Sequence, residues 1–282
     1  MIHRATQIRS TIFALLLGAA LPAGAQTTAS TVSFSCAFAN SPTDCGFFEQ
    51  SYALPRATIV NTVARDGGTS LRLHTEPGDA NVAGSGTSER DDLSLGQIYG
   101  EGMEQWWAHS VLLPDDYDVP VRPTDADWNW TVLFDFHNSA SGGGQANFMV
   151  VVENDLPGSP ALLRFRGFGG ATVNDGAYGN DTGKYGAVIG PVVKNVWYDF
   201  VYHVRWSSNG DGFMQAWVNG VKKLDFVGAT LYAGQGCYLK LANYHTATGK
   251  ASSVIHDRVI RGTAQTDVSL TPLQGVSRTG NR

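Results

Sequence analysis

Trp197-Tyr-Asp-Phe-Val-Tyr-His-Val-Arg-Trp206, Asn209-Gly-Asp-Gly212, Phe213-Met-Gln-Ala-Trp-Val218 and Asn219-Gly220 form the stretch whose reading decides the fold. Two runs rich in Val, Phe, Tyr and Trp flank a cluster of turn residues, and Asn-Gly is a strong two-residue hairpin signal. The stretch reads as antiparallel strands joined by tight turns. The same pattern extends outward in both directions. Leu71 to His74, Trp106 to Leu113, Trp130 to His137, Asn147 to Val152, Ala161 to Arg166, Tyr238 to Tyr244 and Ser253 to Arg261 are further strand candidates. Pro114-Asp115-Asp116 stops one of them. Long helical periodicity, fixed-period repeats and linkers are absent from the sequence. Many antiparallel strands in one chain predict an all-β jelly-roll sandwich of two antiparallel sheets, with a concave face able to hold an extended polymer.

Composition narrows the class. The 282 residues are 43% hydrophobic, which excludes a disordered chain, and 16% charged, which is low for a helical bundle. A net charge of −5 gives no electrostatic case for nucleic acid. At the N-terminus, Arg4 and Arg9 precede the apolar Ile12 to Leu21 and the small Ala23-Gly24-Ala25. That order predicts a signal peptide over residues 1–25, and the apolar run is short for a bilayer. Residues 26–282 are then expected to form one exported domain, secreted or periplasmic, monomeric and free of the membrane, with a polar tail from about residue 263. Export permits disulfides, so Cys36 and Cys45 are expected to bridge and Cys237 to be a small buried residue. The Gly-rich runs at Ser141 to Gly144 and Gly167 to Gly170 lack a phosphate-cradle pattern. Residues 171–190 are expected to be a long loop, a lid or a cleft wall.

Alternate side chains of a strand share a face. Tyr238, Lys240, Ala242 and Tyr244 are expected on one face, with Leu239, Leu241 and Asn243 on the other. In the 130–137 strand, plain alternation sets Trp130, Val132, Phe134 and Phe136 against Thr131, Leu133, Asp135 and His137. Arg164 and Arg166 share a face, as do Asp199, Val201, His203 and Arg205. One sheet surface carrying Arg90, His137, Arg166, His203 and Lys240 would suit a polyanion.

Three segments carry a family resemblance. Glu89-Arg90-Asp91-Asp92-Leu93 is similar to the Arg-Ser/Thr-Glu-Leu strand of jelly-roll polysaccharide lyases. Leu133-Phe-Asp-Phe-His137-Asn138 is similar to their Gln-x-His strand, and Tyr238-Leu-Lys-Leu-Ala-Asn-Tyr244 to their Tyr-Phe-Lys-x-Gly-x-Tyr strand. The chain most resembles the heparin lyase I-like group that includes glucuronan lyases, with a looser similarity to jelly-roll alginate lyases. The resemblance implies β-elimination on a 1,4-linked uronate polymer, with an anionic polysaccharide as partner and no cofactor for the chemistry. It implies Arg90 as the carboxylate neutraliser, assisted by Lys240, with His137 as base and Tyr244 as acid. Asn138, Asp135, Arg166 and His203 become subsite candidates. The sequence departs from the pattern at Asp135, where the family has Gln, and at Ala242-Asn243, where it has Gly. An ionised Asp135 would repel a uronate. It is either protonated, or paired with Arg90 or Lys240, or faces a different substrate group. The fold also implies a structural calcium, for which Asp257 is the candidate ligand. Zinc-type His spacing is absent from the sequence. Two rivals stand beside this reading. One is a laminarinase-type hydrolase using Glu153-Asn-Asp155, which lacks the third acid of that signature. The other is a non-catalytic carbohydrate-binding jelly roll.

Overall fold

The computed structural model describes residues 31–50, 55–79, 86–139, 145–170 and 185–270. The expected signal peptide, the glycines of residues 141–144, and residues 171–184 of the expected lid lie outside these. The described residues form β1 (Val32–Cys36), β2 (Phe47–Glu49), β3 (Thr58–Val60), β4 (Ser70–Thr75), β5 (Ser88–Leu95), β6 (Glu104–Leu112), β7 (Trp130–Asn138) and β8 (Phe148–Glu153). They continue with β9 (Leu162–Gly167), β10 (Tyr185–Pro191), β11 (Trp197–Arg205), β12 (Phe213–Val218), β13 (Val221–Val227), β14 (Cys237–Thr246) and β15 (Ser252–Gly262). One sheet runs β13-β12-β11-β6-β15-β4-β3, with β1 added against β15; the other runs β10-β9-β8-β7-β14-β5-β2. Every ladder is antiparallel, as the jelly-roll expectation requires.

The sheets face each other across one core. Leu93, Phe134, Phe136, Phe148, Phe165, Leu239 and Leu241 come from the seven-stranded sheet; Leu71, Trp107, Val111, Phe200, Tyr202 and Met214 come from the other. Each such side chain contributes about 1.5–3 kcal/mol on leaving water. β11 shows the alternation clearly: Tyr198, Phe200, Tyr202 and Val204 are buried while their neighbours are half-buried. Its partner β12 turns into β13 at Asn219 and Gly220, whose φ values of 50° and 79° are those of a primed hairpin turn. Cys36 and Cys45 form the expected disulfide, and Cys237 is a buried free thiol.

Three expectations need correction. First, β7 does not alternate plainly. Val132 pairs with Val151 and Phe134 with Val150, so Leu133 is an extra residue, a β-bulge. Leu133 and Phe134 both enter the core, and the pleat inverts on either side. Trp130 and Val132 therefore join Asp135 and His137 on the outer face. Second, the tail expected from about 263 is packed at its start: Gln265–Val268 forms a 3-10 turn, and Val268 is buried against Ala108 and Ile260. Third, residues 185–190 of the expected loop belong to β10.

Candidate functional site

The outer face of the seven-stranded sheet holds a cavity of about 410 Å³. β5 supplies Arg90, β14 supplies Lys240 and Tyr244, and β7 supplies Asp135 and His137. Register orders these groups into a row. Tyr244 lies opposite Arg90, Lys240 opposite Asp135, and Tyr238 opposite His137.

The middle of the row is a buried charge cluster. Lys240 is 2% exposed, and its Nζ lies 2.7 Å from Oδ2 of the fully buried Asp92. Arg90 Nε lies 3.5 Å from the same oxygen. Burial alone would lower the Lys240 pKa, but Asp92 and Asp135 more than offset it, and the ammonium is held above its ordinary range. Asp135 is the counterpart. Burial raises its pKa, and Lys240 and His137 counter that only in part, so the carboxyl is held toward its neutral form.

At one end of the row the Tyr244 ring meets Trp130 edge to face at 4.7 Å, and the Arg90 guanidinium carbon lies 5.8 Å from the Tyr244 ring centre. At the other end His137 Nδ1 donates to the Asn138 carbonyl at 2.9 Å. A carbonyl only accepts, so Nδ1 carries the proton and the neutral ring keeps its lone pair on Nε2. The His137 and Tyr238 rings are 5.3 Å apart. Tyr238 and Tyr244 are separated by about 20 Å of strand at the usual rise. His137 and Tyr244 thus flank the Lys240 rung rather than touch.

Arg166 also lines the cavity, but it arrives with a counter-ion. Its Nη2 and Nε bind the two oxygens of buried Glu153 at 2.7 and 3.0 Å, and Arg164 Nε adds a contact at 2.9 Å. Glu153 therefore has both oxygens engaged, and Asp155 pairs with Arg164 outside the cavity. A hydrolase needs two carboxylates flanking the scissile bond, and this pair does not supply them.

Two subsite candidates are displaced. Asn138 is 1% exposed and donates to the Gln145 carbonyl at 2.9 Å, bracing the end of β7 outside the cavity lining. His203 lies on β11 in the opposite sheet. It stacks on Trp106 at 4.1 Å and pairs with Glu104 at 2.8 Å, on that sheet's outer face. Alternation assigns a residue to a face of its own strand, not to a sheet. The expected calcium ligand is also otherwise engaged. Asp257 Oδ2 accepts the backbone N–H groups of Arg65 and Asp66 at 2.7 and 3.1 Å. Burial pushes its carboxyl up to about 6. The cation nearby is Arg65, bound to Asp199 at 2.8 Å. No group of three or more metal-ligating side chains occurs among the described residues.

Asp92 and Trp130 were not singled out in the sequence. Asp92 stands two residues after Arg90, which was a usable signal of a shared face. Trp130 was hidden by the bulge.

No curated protein sequence matches the chain. Among solved structures, an endo-β-1,4-glucuronan lyase from the fungus Trichoderma reesei superposes with a TM-score of 0.65 at 17% identity, over 86% of this chain and 100% of that one. An alginate lyase mutant in complex with an alginate trisaccharide superposes with a TM-score of 0.55 at 14% identity, over 83% of this chain and 99% of that one. Both likenesses bear on the fold. A family model described as polysaccharide lyase matches residues 39–260, which span both sheets and every strand that builds the cleft. By that match the chain belongs to the polysaccharide lyase family.

Proposed function

We propose that this lyase is exported and cleaves a 1,4-linked uronic-acid-containing polysaccharide by β-elimination at the cleft. The observation that carries the reading is the row itself: Arg90, Tyr244, Lys240 and His137 line one cavity. The glucuronan and alginate lyases of like fold suggest the uronate class. The Cys36–Cys45 bridge suits an oxidising compartment.

The chemistry follows from the substrate. A uronate carries a carboxylate on C5, and breaking the 4-linkage requires loss of the C5 proton. Charge then develops on the carboxylate and must be stabilised. Arg90 supplies a planar guanidinium for that group, and Lys240 adds a fixed positive charge beside it. His137 Nε2 takes the C5 proton, and the Tyr244 hydroxyl protonates the departing O4. A pyranose ring seated over the Lys240 rung is flanked by the imidazole on one side and the phenol on the other. Asp135, in the same rung, and Arg166 would contact the chain around that ring.

Elimination creates a C4–C5 double bond conjugated to the carboxylate. The purified protein is incubated with glucuronan, alginate and heparin-type polymers while ultraviolet absorbance is followed. Rising absorbance with one polymer supports the proposal. New reducing ends without absorbance would indicate hydrolysis, and binding without new ends would indicate a passive module.

A further inference from the structure

The charges of the cleft nearly cancel. Arg90, Lys240 and Arg166 stand with Asp92, Glu153 and Asp135, and Arg164 beside them is balanced by Asp155. A fully ionised set leaves no positive surplus for an anionic ligand. Two of the three carboxylates are clamped: Asp92 by Lys240 and Arg90, Glu153 by Arg166 and Arg164. Asp135 differs in having no ion pair among the described residues. It is 3% exposed, it lines the cavity, and its Oδ1 accepts no hydrogen bond among the described residues. Lys240, opposite it on β14, gives its ion pair to Asp92 instead. An ionised carboxylate left this way would be costly in itself and would repel a ligand carboxylate.

We infer that Asp135 is a neutral carboxylic acid that donates its O–H to a carboxylate of the substrate, so that substrate and one proton bind together. The inference rests on the substrate being a uronate and names the group that recognises it. It leaves Lys240 paired with Asp92 and gives the cleft a net positive charge at the moment of binding. The groups around Asp135 fit. Lys240, Tyr238 and Cys237 lie on β14, Asp92 and Arg90 beyond them on β5, and His137 on β7 itself. Across β7 the neighbour is uncharged Met149 on β8, followed by Arg166 on β9. The balance of these groups with burial raises the Asp135 pKa.

Two measurements decide the matter. The first needs no substrate. Infrared difference spectra of the unliganded wild type against Asp135→Asn, at mildly acidic pH, should show a neutral-carboxyl C=O stretch that the variant lacks. Absence of that band from the wild type overturns the inference. The second follows KM against pH on whichever uronate polymer is cut. Wild-type KM should rise about tenfold per pH unit above the Asp135 titration, and in Asp135→Asn that limb should vanish whatever the absolute KM. A flat wild-type profile, or the same limb in the variant, overturns the inference. If no uronate polymer is cut, the elimination reading fails, while the infrared band still decides whether Asp135 holds the proton.

Discussion

Lys240 stays charged at 2% exposure because Asp92, itself fully buried, lies 2.7 Å away. Removing one member leaves the other uncompensated. Lys240→Met should therefore destabilise the protein by about 3–5 kcal/mol in urea unfolding, whereas Lys240→Met with Asp92→Leu should recover most of that loss. The double variant should remain without turnover, which separates the structural part of the cluster from the catalytic part proposed for it. The groups proposed to transfer protons behave differently. Tyr244 and His137 are half-buried side chains at the two ends of the row. His137→Ala should lower kcat about 10²- to 10⁴-fold, and Tyr244→Phe at least as much, with unchanged circular dichroism. Full activity in either variant would remove that residue from the chemistry. At this scale Lys240 and Tyr244 were legible from period-two spacing. The burial of Asp92 was not, because spacing puts it on the face of Arg90 but does not say that it is closed off from water beside Lys240.

The β7 bulge shows where reading by element reaches its limit. Plain alternation sets Leu133 with Asp135 and His137 on the polar face. The extra residue sends Leu133 into the core, 1% exposed, and brings Trp130 and Val132 to the cleft. A bulge leaves little trace in the sequence when its added residue is apolar, since Leu beside Phe134 fits either face. Leu133→Ala should cost about 2–5 kcal/mol in unfolding free energy, as for other buried leucines. Val132→Ala should cost less stability and act mainly on KM. A Leu133→Ala variant as stable as wild type would place Leu133 back on the outer face. By contrast the β12–β13 hairpin was legible to the residue, because Asn219-Gly220 has few conformations open to it other than the turn it adopts.

For the whole molecule, the two-sheet sandwich was legible in the strand pattern, but the allocation of strands to sheets was not. His203 shares its face with Asp199 and Arg205 as expected, yet β11 pairs with β6 and β12 in the sheet away from the cleft. Pairing between distant strands is set by packing and loop closure, which one sequence read segment by segment does not reveal. Packing also sets the pH response of the fold. His256 is fully buried, and burial lowers its pKa from 6.5 to about 4. The unfolded chain binds a proton there that the folded one refuses. This contribution is complete above pH 6.5 and is lost as pH falls toward 4, by about 3 kcal/mol in all. Buried His109 acts in the same direction. Asp91, its carboxyl raised by burial and by Glu49, acts in the opposite one, so its contribution is lost as pH rises. Comparing wild type with His256→Gln isolates the histidine: the variant should lose about 1.4 kcal/mol per pH unit of slope between pH 4 and 6.5. An unchanged slope would mean that His256 titrates normally in the fold.

Elimination itself is tested most directly by weighing the two fragments of a defined uronate oligosaccharide after one cut. Elimination adds nothing, so the fragment masses should sum to the mass of the parent, with the new non-reducing end lighter by one water than its saturated counterpart. Fragments that sum to the parent plus one water would contradict it, because only hydrolysis adds a solvent molecule across the bond.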